Sequence, residues 1–345
     1  MNNYYFRITK LSTFTAVFLF LACVFSCSNT TKHSEYYKVQ GTAQGTYYSI
    51  TYENTLNKNL KPQFDSILQD FDSTFSNYLP TSLISRINAH DTIFEVNDDF
   101  IYFWNTAHNV WKMSNGAFDI SIAPLANAWK FGFKNDSLLP TPKKIDSLLT
   151  LKAMHTLWID EHKRLHKANP RSQIIGNAIA QGYSVDVLCS FLDSLGITNY
   201  LVDVGGEMRA KGVNHAGKIW SIGITIPSEG VDSLSQENSF AHVLQLNNRA
   251  LGTSGNYRKF YIVDGKKYSH TLNPVTGYPA QSSILSATVL APTAIEADAL
   301  ATVCMVLGME QSIELFKQYP RYDIFLLYDN NGSMEYYASK GIQIN

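Results

Sequence analysis

His270 closes a stretch rich in hydrogen-bonding groups. Residues 249–277 carry hydroxyls at Thr253, Ser254 and Tyr257, a fixed cation at Arg258, bare backbone at Gly252 and Gly255, and then His270-Thr271-Leu272-Asn273-Pro274-Val275-Thr276-Gly277. Such a set can hold a polar ligand, and an imidazole that titrates near neutrality can move a proton. The same residue types build ordinary turns, and Asn273-Pro274-Val275-Thr276-Gly277 alone reads as one. Further on, Asp298 and Thr302 lie four apart in a helical pattern and share a face. A carboxylate and a hydroxyl form a hard-oxygen pair suited to magnesium. The pair also has a structural alternative: an aspartate near a helix start suits the helix dipole, and a threonine can bond back to its own helix.

Three more segments could converge on these residues. Asn177-Ala178-Ile179-Ala180-Gln181-Gly182-Tyr183-Ser184 opens a helix, where exposed N–H groups can meet an anion or small residues can serve packing alone. Asp203-Val204-Gly205-Gly206-Glu207 follows an apolar strand and allows either a close ligand approach or a tight turn. Gly116-Ala117-Phe118-Asp119, with Pro124-Leu125 and Trp129-Lys130-Phe131-Gly132, mixes aromatics with Gly, Asp and Pro, so a ligand-facing loop rivals a core stripe. No glycine-rich dinucleotide-binding fingerprint occurs.

The elements that must position these groups are legible in outline. Helical periodicity places Leu60, Phe64, Ile67, Leu68, Phe71 and Phe75 on one face, and Phe100, Phe103, Trp104, Ala107 and Trp111 on another. The second of these helices stops at Asn115-Gly116. A surface helix follows Pro142, and residues 155–159 and 164–168 read as a hairpin. Strands are expected at 46–52, 199–204, 219–226, 240–246 and 284–291, a helix near 309–319, and two strands within 322–338. Helices and strands mix without regular βαβ alternation, so the class is α+β.

Residues 1–27 read as a targeting segment. Arg7 and Lys10 precede an apolar run, 14–25, too short for a comfortable membrane span. Its end, Val24-Phe25-Ser26-Cys27, resembles a bacterial lipoprotein cleavage box, which would make Cys27 a lipidated N-terminus. Residues 28–38 then form a polar tether and 39–345 the folded domain. The net charge of −1 argues against a nucleic-acid partner recruited by a basic surface. Cys189 and Cys304 lie in apolar helical patterns and read as buried thiols, and no zinc-type Cys/His spacing is present.

Taken in order, six of these words resemble the ApbE-type family of FAD:protein FMN transferases. They are Gly45-Thr46-Tyr47; Phe75-Ser76-Asn77-Tyr78; Gly116-Ala117-Phe118-Asp119 with Pro124-Leu125; Ala178-Ile179-Ala180-Gln181-Gly182-Tyr183 with Gly205-Gly206-Glu207; Thr253-Ser254-Gly255 through Ser269-His270 and Pro274-Val275-Thr276-Gly277; and Ala297-Asp298-Ala299-Leu300-Ala301-Thr302. The resemblance implies an α+β, T-fold-related flavin transferase domain with mostly antiparallel strands. It implies cleavage of FAD at its pyrophosphate, passage of FMN to a threonine hydroxyl of a target protein, and release of AMP. Asp298 and Thr302, with the carbonyl of Ala178, would hold Mg2+, and His270 would be the general base. Tyr78 and the Ala117-Phe118-Asp119 turn would hold the ends of FAD, with Gln44, Gln181, Thr253 and Leu272 as further contacts. The acceptor would be an envelope flavoprotein such as a redox-pump subunit, and the enzyme a lipid-anchored protein of the bacterial envelope facing the periplasm.

The chain departs from the family pattern in places. Gln44 stands where a Met is usual, Gln181 where Lys or Glu is usual, Ile175 where an acid is usual, and Asn256 and Asn273 where Asp is usual. The Ile175 change removes a contact to the adenosine portion. Two other readings share the same residues: a magnesium-dependent FAD pyrophosphatase that uses water as acceptor, and a lipid-anchored flavin-binding protein without turnover.

Overall fold

Eight strands pair side by side into one open antiparallel sheet. The computed structural model describes residues 35–89, 93–132, 139–225, 240–256, 260–263 and 266–344. The signal segment, Cys27 and residues 28–34 of the tether lie outside the described residues, as do Tyr257 and Arg258. The first strand, β1 (Tyr36–Ala43), begins inside the range read as tether and pairs with β2 (Thr46–Glu53). Its side chains are mostly half-buried or exposed, which is why no apolar run announced it.

A helical face follows. In α1 (Lys61–Phe75) the residues Phe64, Leu68, Phe71 and Phe75 are buried, as the periodicity predicts. The chain continues through α2 (Leu83–Ala89), β3 (Ile93–Glu95) and α3 (Asp98–Met113), then α4 (Ala123–Ala128) and α5 (Pro142–Leu149). Asn97 caps α3 by accepting from the Phe100 N–H, and Thr141 caps α5 by accepting from Lys144 N–H. The expected hairpin is present as β4 (Leu157–Ile159) and β5 (Arg164–Lys167), with β3 added on the far side of β5.

The central helix α6 (Ala180–Ser194) leads into β6 (Tyr200–Val204) and β7 (Glu207–Lys211). They join through a two-residue turn in which Gly205 and Gly206 have φ of 64° and 108°, the left-handed backbone that glycine adopts without strain. After them come β8 (Trp220–Thr225), β9 (Phe240–Leu246), β10 (Ala250–Gly255), β11 (Phe260–Val263), β12 (Lys266–Ser269) and β13 (Ile284–Ala291). The chain ends with α7 (Ala294–Leu307), α8 (Met309–Gln318), β14 (Asp323–Asn330) and β15 (Ser333–Ala338).

The sheet runs β1-β2-β6-β7-β10-β13-β14-β15, with β1 and β15 at its edges. The period-two pattern of its strands feeds two cores. One face carries Ile50, Val202, Val204, Ala287, Val289, Ile324 and Leu326 against α1, α6 and α7. The other carries Leu251, Leu290, Phe325 and Leu327 against Trp220, Ile222, Leu244 and Leu246 of the β8–β9 hairpin. A smaller apolar cluster joins Ala123, Leu125, Trp129, Ile145, Ile175 and Leu272. Among the described residues no helix is long and apolar enough to cross a membrane.

Candidate active site

Asp298 lies one turn into α7 and is buried at 6% exposure. Burial pushes its carboxyl up to about 7, the N–H of Gly182 working against that shift. Gly182 N donates to Asp298 Oδ2 at 3.0 Å. In a regular helix that N–H would go to the carbonyl of Ala178, four residues back. The Asp298 carboxylate thus takes the N–H that the Ala178 carbonyl would otherwise receive, at the opening of α6.

Two glycines permit this approach. A Cβ on Gly182 would run into the Ala294 carbonyl and come within 2.8 Å of Asp298 Cβ. A Cβ on Gly252 would come within 2.6 Å of Asp298 N. Contacts that short do not occur between real atoms, so α6 and β10 can close on this turn of α7 only through bare backbone.

Thr302, one turn further on, meets Ser254 Oγ at 3.3 Å rather than its own helix. Ser254 shares a sheet face with Gly252, the face that α7 covers. Thr253 points the other way by the alternation of a strand, and its hydroxyl meets Thr288 Oγ1 across the β10–β13 ladder at 2.9 Å. The structure therefore brings the hydroxyl of Ser254, not that of Thr253, to Thr302 on α7. Among the described residues no three His, Cys, Asp or Glu side chains gather as a metal cluster. The donors assembled here are instead a carboxylate, hydroxyls and a backbone carbonyl, a set whose chemistry suits a hard cation.

The β1–β2 and β6–β7 turns lie beside the opening of α6, with Gly205 N donating to Tyr47 O at 3.0 Å. Gln44 occupies the first turn at φ 55°, and its buried Nε2 has no hydrogen-bond partner among the described residues. Its Oε1 accepts from Ser184 Oγ at 3.4 Å. The Gln181 amide reaches Gly205, where an added Cβ would stand 2.7 Å from Nε2. Gln44 therefore meets α6 at Ser184, while Gln181, itself in the first turn of α6, reaches out to the β6–β7 turn.

His270 follows β12, half-buried, with its ring edge-on to Phe131 at 6.4 Å between centroids. Leu272 is buried in the cluster that holds Ile175 and bridges to Pro279. The following loop is anchored from outside: Trp129 Nε1 donates to Gly277 O at 2.8 Å and Lys152 Nζ to Pro274 O at 2.6 Å. The segment carrying Ile175 runs on through Ala178 to Gly182, so one stretch of chain touches both the His270 lobe and the Asp298 turn. Asn77 pins that stretch, donating from Nδ2 to Ile174 O at 3.1 Å and accepting from Gly176 N at 3.0 Å.

Other expected contacts fall less neatly. Tyr78 is 68% exposed beside the buried Asn77. Ala117, Phe118 and Asp119 are buried, and Phe118 belongs to the main core, so its ring packs against protein. Asp119 Oδ1 accepts from Ser121 N and Ser121 Oγ, and burial raises its carboxyl against those bonds. The 117–119 turn is thus built inward, leaving backbone as its means of touching a ligand. Asn77, Gly182 and Gly252 carry position without a chemistry of their own, and only their place in the motifs marked them.

The chain matches the family model described as ApbE family over residues 44–326. It is 32% identical to a FAD:protein FMN transferase of Haemophilus influenzae, with 86% of this chain and 87% of that protein covered. With a protein of the same name from Vibrio cholerae it shares 31% identity, covering 92% and 96%. The fold superposes on the flavin transferase ApbE from Vibrio cholerae with a TM-score of 0.79 at 30% identity, over 89% of this chain and 97% of that one. The apo flavinyl transferase ApbE of Pseudomonas stutzeri gives the same TM-score at 29% identity, over 89% and 95%. With the family model spanning both sheet faces, the α6 opening, His270 and the Asp298 turn, this chain belongs to the ApbE family.

Proposed function

We propose that this chain is a FAD:protein FMN transferase that moves FMN from FAD to a threonine hydroxyl of an acceptor protein, with release of AMP, and that it needs Mg2+. The observation that carries the reading is the buried Asp298 carboxylate, held at the opening of α6 with Thr302 one turn away. Asp298, Thr302 and the carbonyl of Ala178 are the groups that would hold the metal. A bound magnesium ion supplies charge neutralisation on a pyrophosphate. The protein's own residues do the rest. Gln44 and Gln181 offer neutral amides to the bound dinucleotide. His270, in its neutral form, takes the proton from the acceptor hydroxyl as the new P–O bond forms and the bond to the AMP oxygen breaks.

The lipid anchor at Cys27 and a periplasm-facing position in a bacterial envelope are part of the same proposal, supported by the charged, apolar and cysteine pattern of the first 27 residues.

The intact mass of an acceptor protein tests the reading after incubation with FAD, Mg2+ and this enzyme. A gain of one FMN, lost with EDTA, is expected. Free FMN and AMP without a mass gain would turn the reading into a pyrophosphatase. Intact FAD with a proven acceptor of a related transferase would turn it into a binder. His270→Ala is expected to keep FAD affinity and lose at least 100-fold in transfer rate. Asp298→Ala is expected to lose both activity and the response to magnesium.

A further inference from the structure

The start of α7 is capped by another helix. Thr293 stands at its N-cap, yet its hydroxyl bonds to the Glu296 carboxylate at 3.0 Å instead of to a backbone N–H. The first N–H groups of a helix need acceptors, and here Asp186 of α6 supplies them. Ala294 N donates to Asp186 Oδ1 at 3.0 Å, and Ile295 N to Oδ2 at 2.9 Å. Arg209 of β7 donates to the same Oδ1 at 2.7 Å. Asp186 is 6% exposed, and among the described residues its carboxylate is answered by the helix end and Arg209.

One turn away the exchange runs in reverse. Asp186 stands four residues after Gly182 on α6, and Asp298 four residues after Ala294 on α7. Asp186 binds the N-terminal N–H groups of α7, while Asp298 binds the N–H of Gly182 near the start of α6. The two helices grip one another by two carboxylates aimed in opposite directions, with a glycine contact between them. Ala294, Asp298 and Thr302 form one i, i+4, i+8 row, so a rotation or slide of the α7 start carries the carboxylate and the hydroxyl with it.

We propose that Asp186, held by Arg209, is a positioning residue for the metal end of the site: it fixes the start of α7 and so the places of Asp298 and Thr302. The inference rests on the proposed reading of Asp298 and Thr302 as metal ligands. It goes beyond that reading by assigning a buried ion pair outside the ligand set to metal affinity.

The test is Mn2+ uptake by the full chain with FAD present and no acceptor protein, followed by loss of the free Mn2+ resonance signal. FAD affinity is measured separately in EDTA by flavin fluorescence. Asp186→Asn is expected to raise the Mn2+ dissociation constant at least ten-fold and to leave FAD affinity in EDTA within about two-fold. Arg209→Lys, which keeps the cation, is expected to stay within about three-fold of the parent on both readouts. A purely structural pair would lower the melting temperature without separating the two affinities. Folded Asp186→Asn with parental Mn2+ affinity overturns the proposal. If that variant does not fold, Arg209→Gln decides: a Mn2+ constant raised three-fold or more supports it, and a parental one overturns it. A parent chain that takes up no Mn2+ would bring down the metal reading itself, a result distinct from parental affinity in the variants.

Discussion

Thr253 and Ser254 carry similar hydroxyls one residue apart and meet opposite faces of the sheet. Ser254 faces α7 and meets Thr302, while Thr253 meets Thr288 in the ladder. Thr253→Val is therefore expected to cost about 1 kcal/mol of stability for the lost bond and to leave the magnesium dependence of transfer unchanged. Ser254→Ala is expected to shift the half-saturating Mg2+ concentration upward at nearly unchanged melting temperature, read by titrating Mg2+ at saturating FAD. The same attention to direction explains Ile175. Its side chain packs with Leu272, Ala123 and Trp129. An acid at that position would sit against this apolar surface and need a partner, whereas isoleucine fills it. Gln181 brings hydrogen-bonding capacity without charge, and it reaches Gly205.

At the scale of elements, the helices that bury one apolar stripe were readable from spacing alone. The face of α1 holds the phenylalanines and leucine that the 3.6-residue period selects. Strands with clear apolar runs, β6 and β13 among them, were readable too. The edge strand β1 and the three-residue β3 were not, because half-exposed side chains leave no alternation to read. The candidate site was legible as a set of residue types, since Asp298 and Thr302 share a helix face and His270 follows a polar run. The grip between α6 and α7 was not legible, because Asp186 and Gly182 act through backbone N–H groups over a hundred residues away in sequence. Asn77 belongs to the same class. It holds both a carbonyl and an N–H of the 174–176 segment. Asn77→Ala would leave the buried Gly176 N–H without its partner, at roughly 1–3 kcal/mol, while Ile174 O keeps its bond from Asn88 Nδ2 at 2.8 Å. A destabilisation of about 1–3 kcal/mol is expected in urea unfolding, with FAD affinity falling because the segment leads directly to Ala178 and Gln181.

For the whole molecule, buried carboxylates set how stability responds to pH. Asp203, ahead of the Gly205-Gly206 turn, has its carboxyl raised by burial to about 6, while the Gly206 N–H and the Tyr47 hydroxyl bonded to it pull the other way. Burial likewise raises Asp186 and Asp119. Asp323 moves in the opposite direction: burial raises it, but Arg249 and Ser339 together bring it below the usual carboxylate range. The sign for Asp203 follows from its two states. Its folded form holds the proton more tightly than the unfolded chain, whose aspartate titrates near 4. The stability it contributes is present in full below about pH 4 and is lost as pH rises to about 6, beyond which the loss is constant. A shift of about two units sets a ceiling of about 3 kcal/mol, reduced by whatever part solvent screens. Asp203→Asn keeps an acceptor for the Gly206 N–H and removes the titration. In urea unfolding the variant is expected to gain on the parent steadily between about pH 4 and pH 6 and to hold that gain to pH 8. A gap that stays flat from pH 4 to pH 8 would mean that Asp203 titrates in the folded protein as it does in the unfolded one, and that the turn beside the α6 opening is open to water.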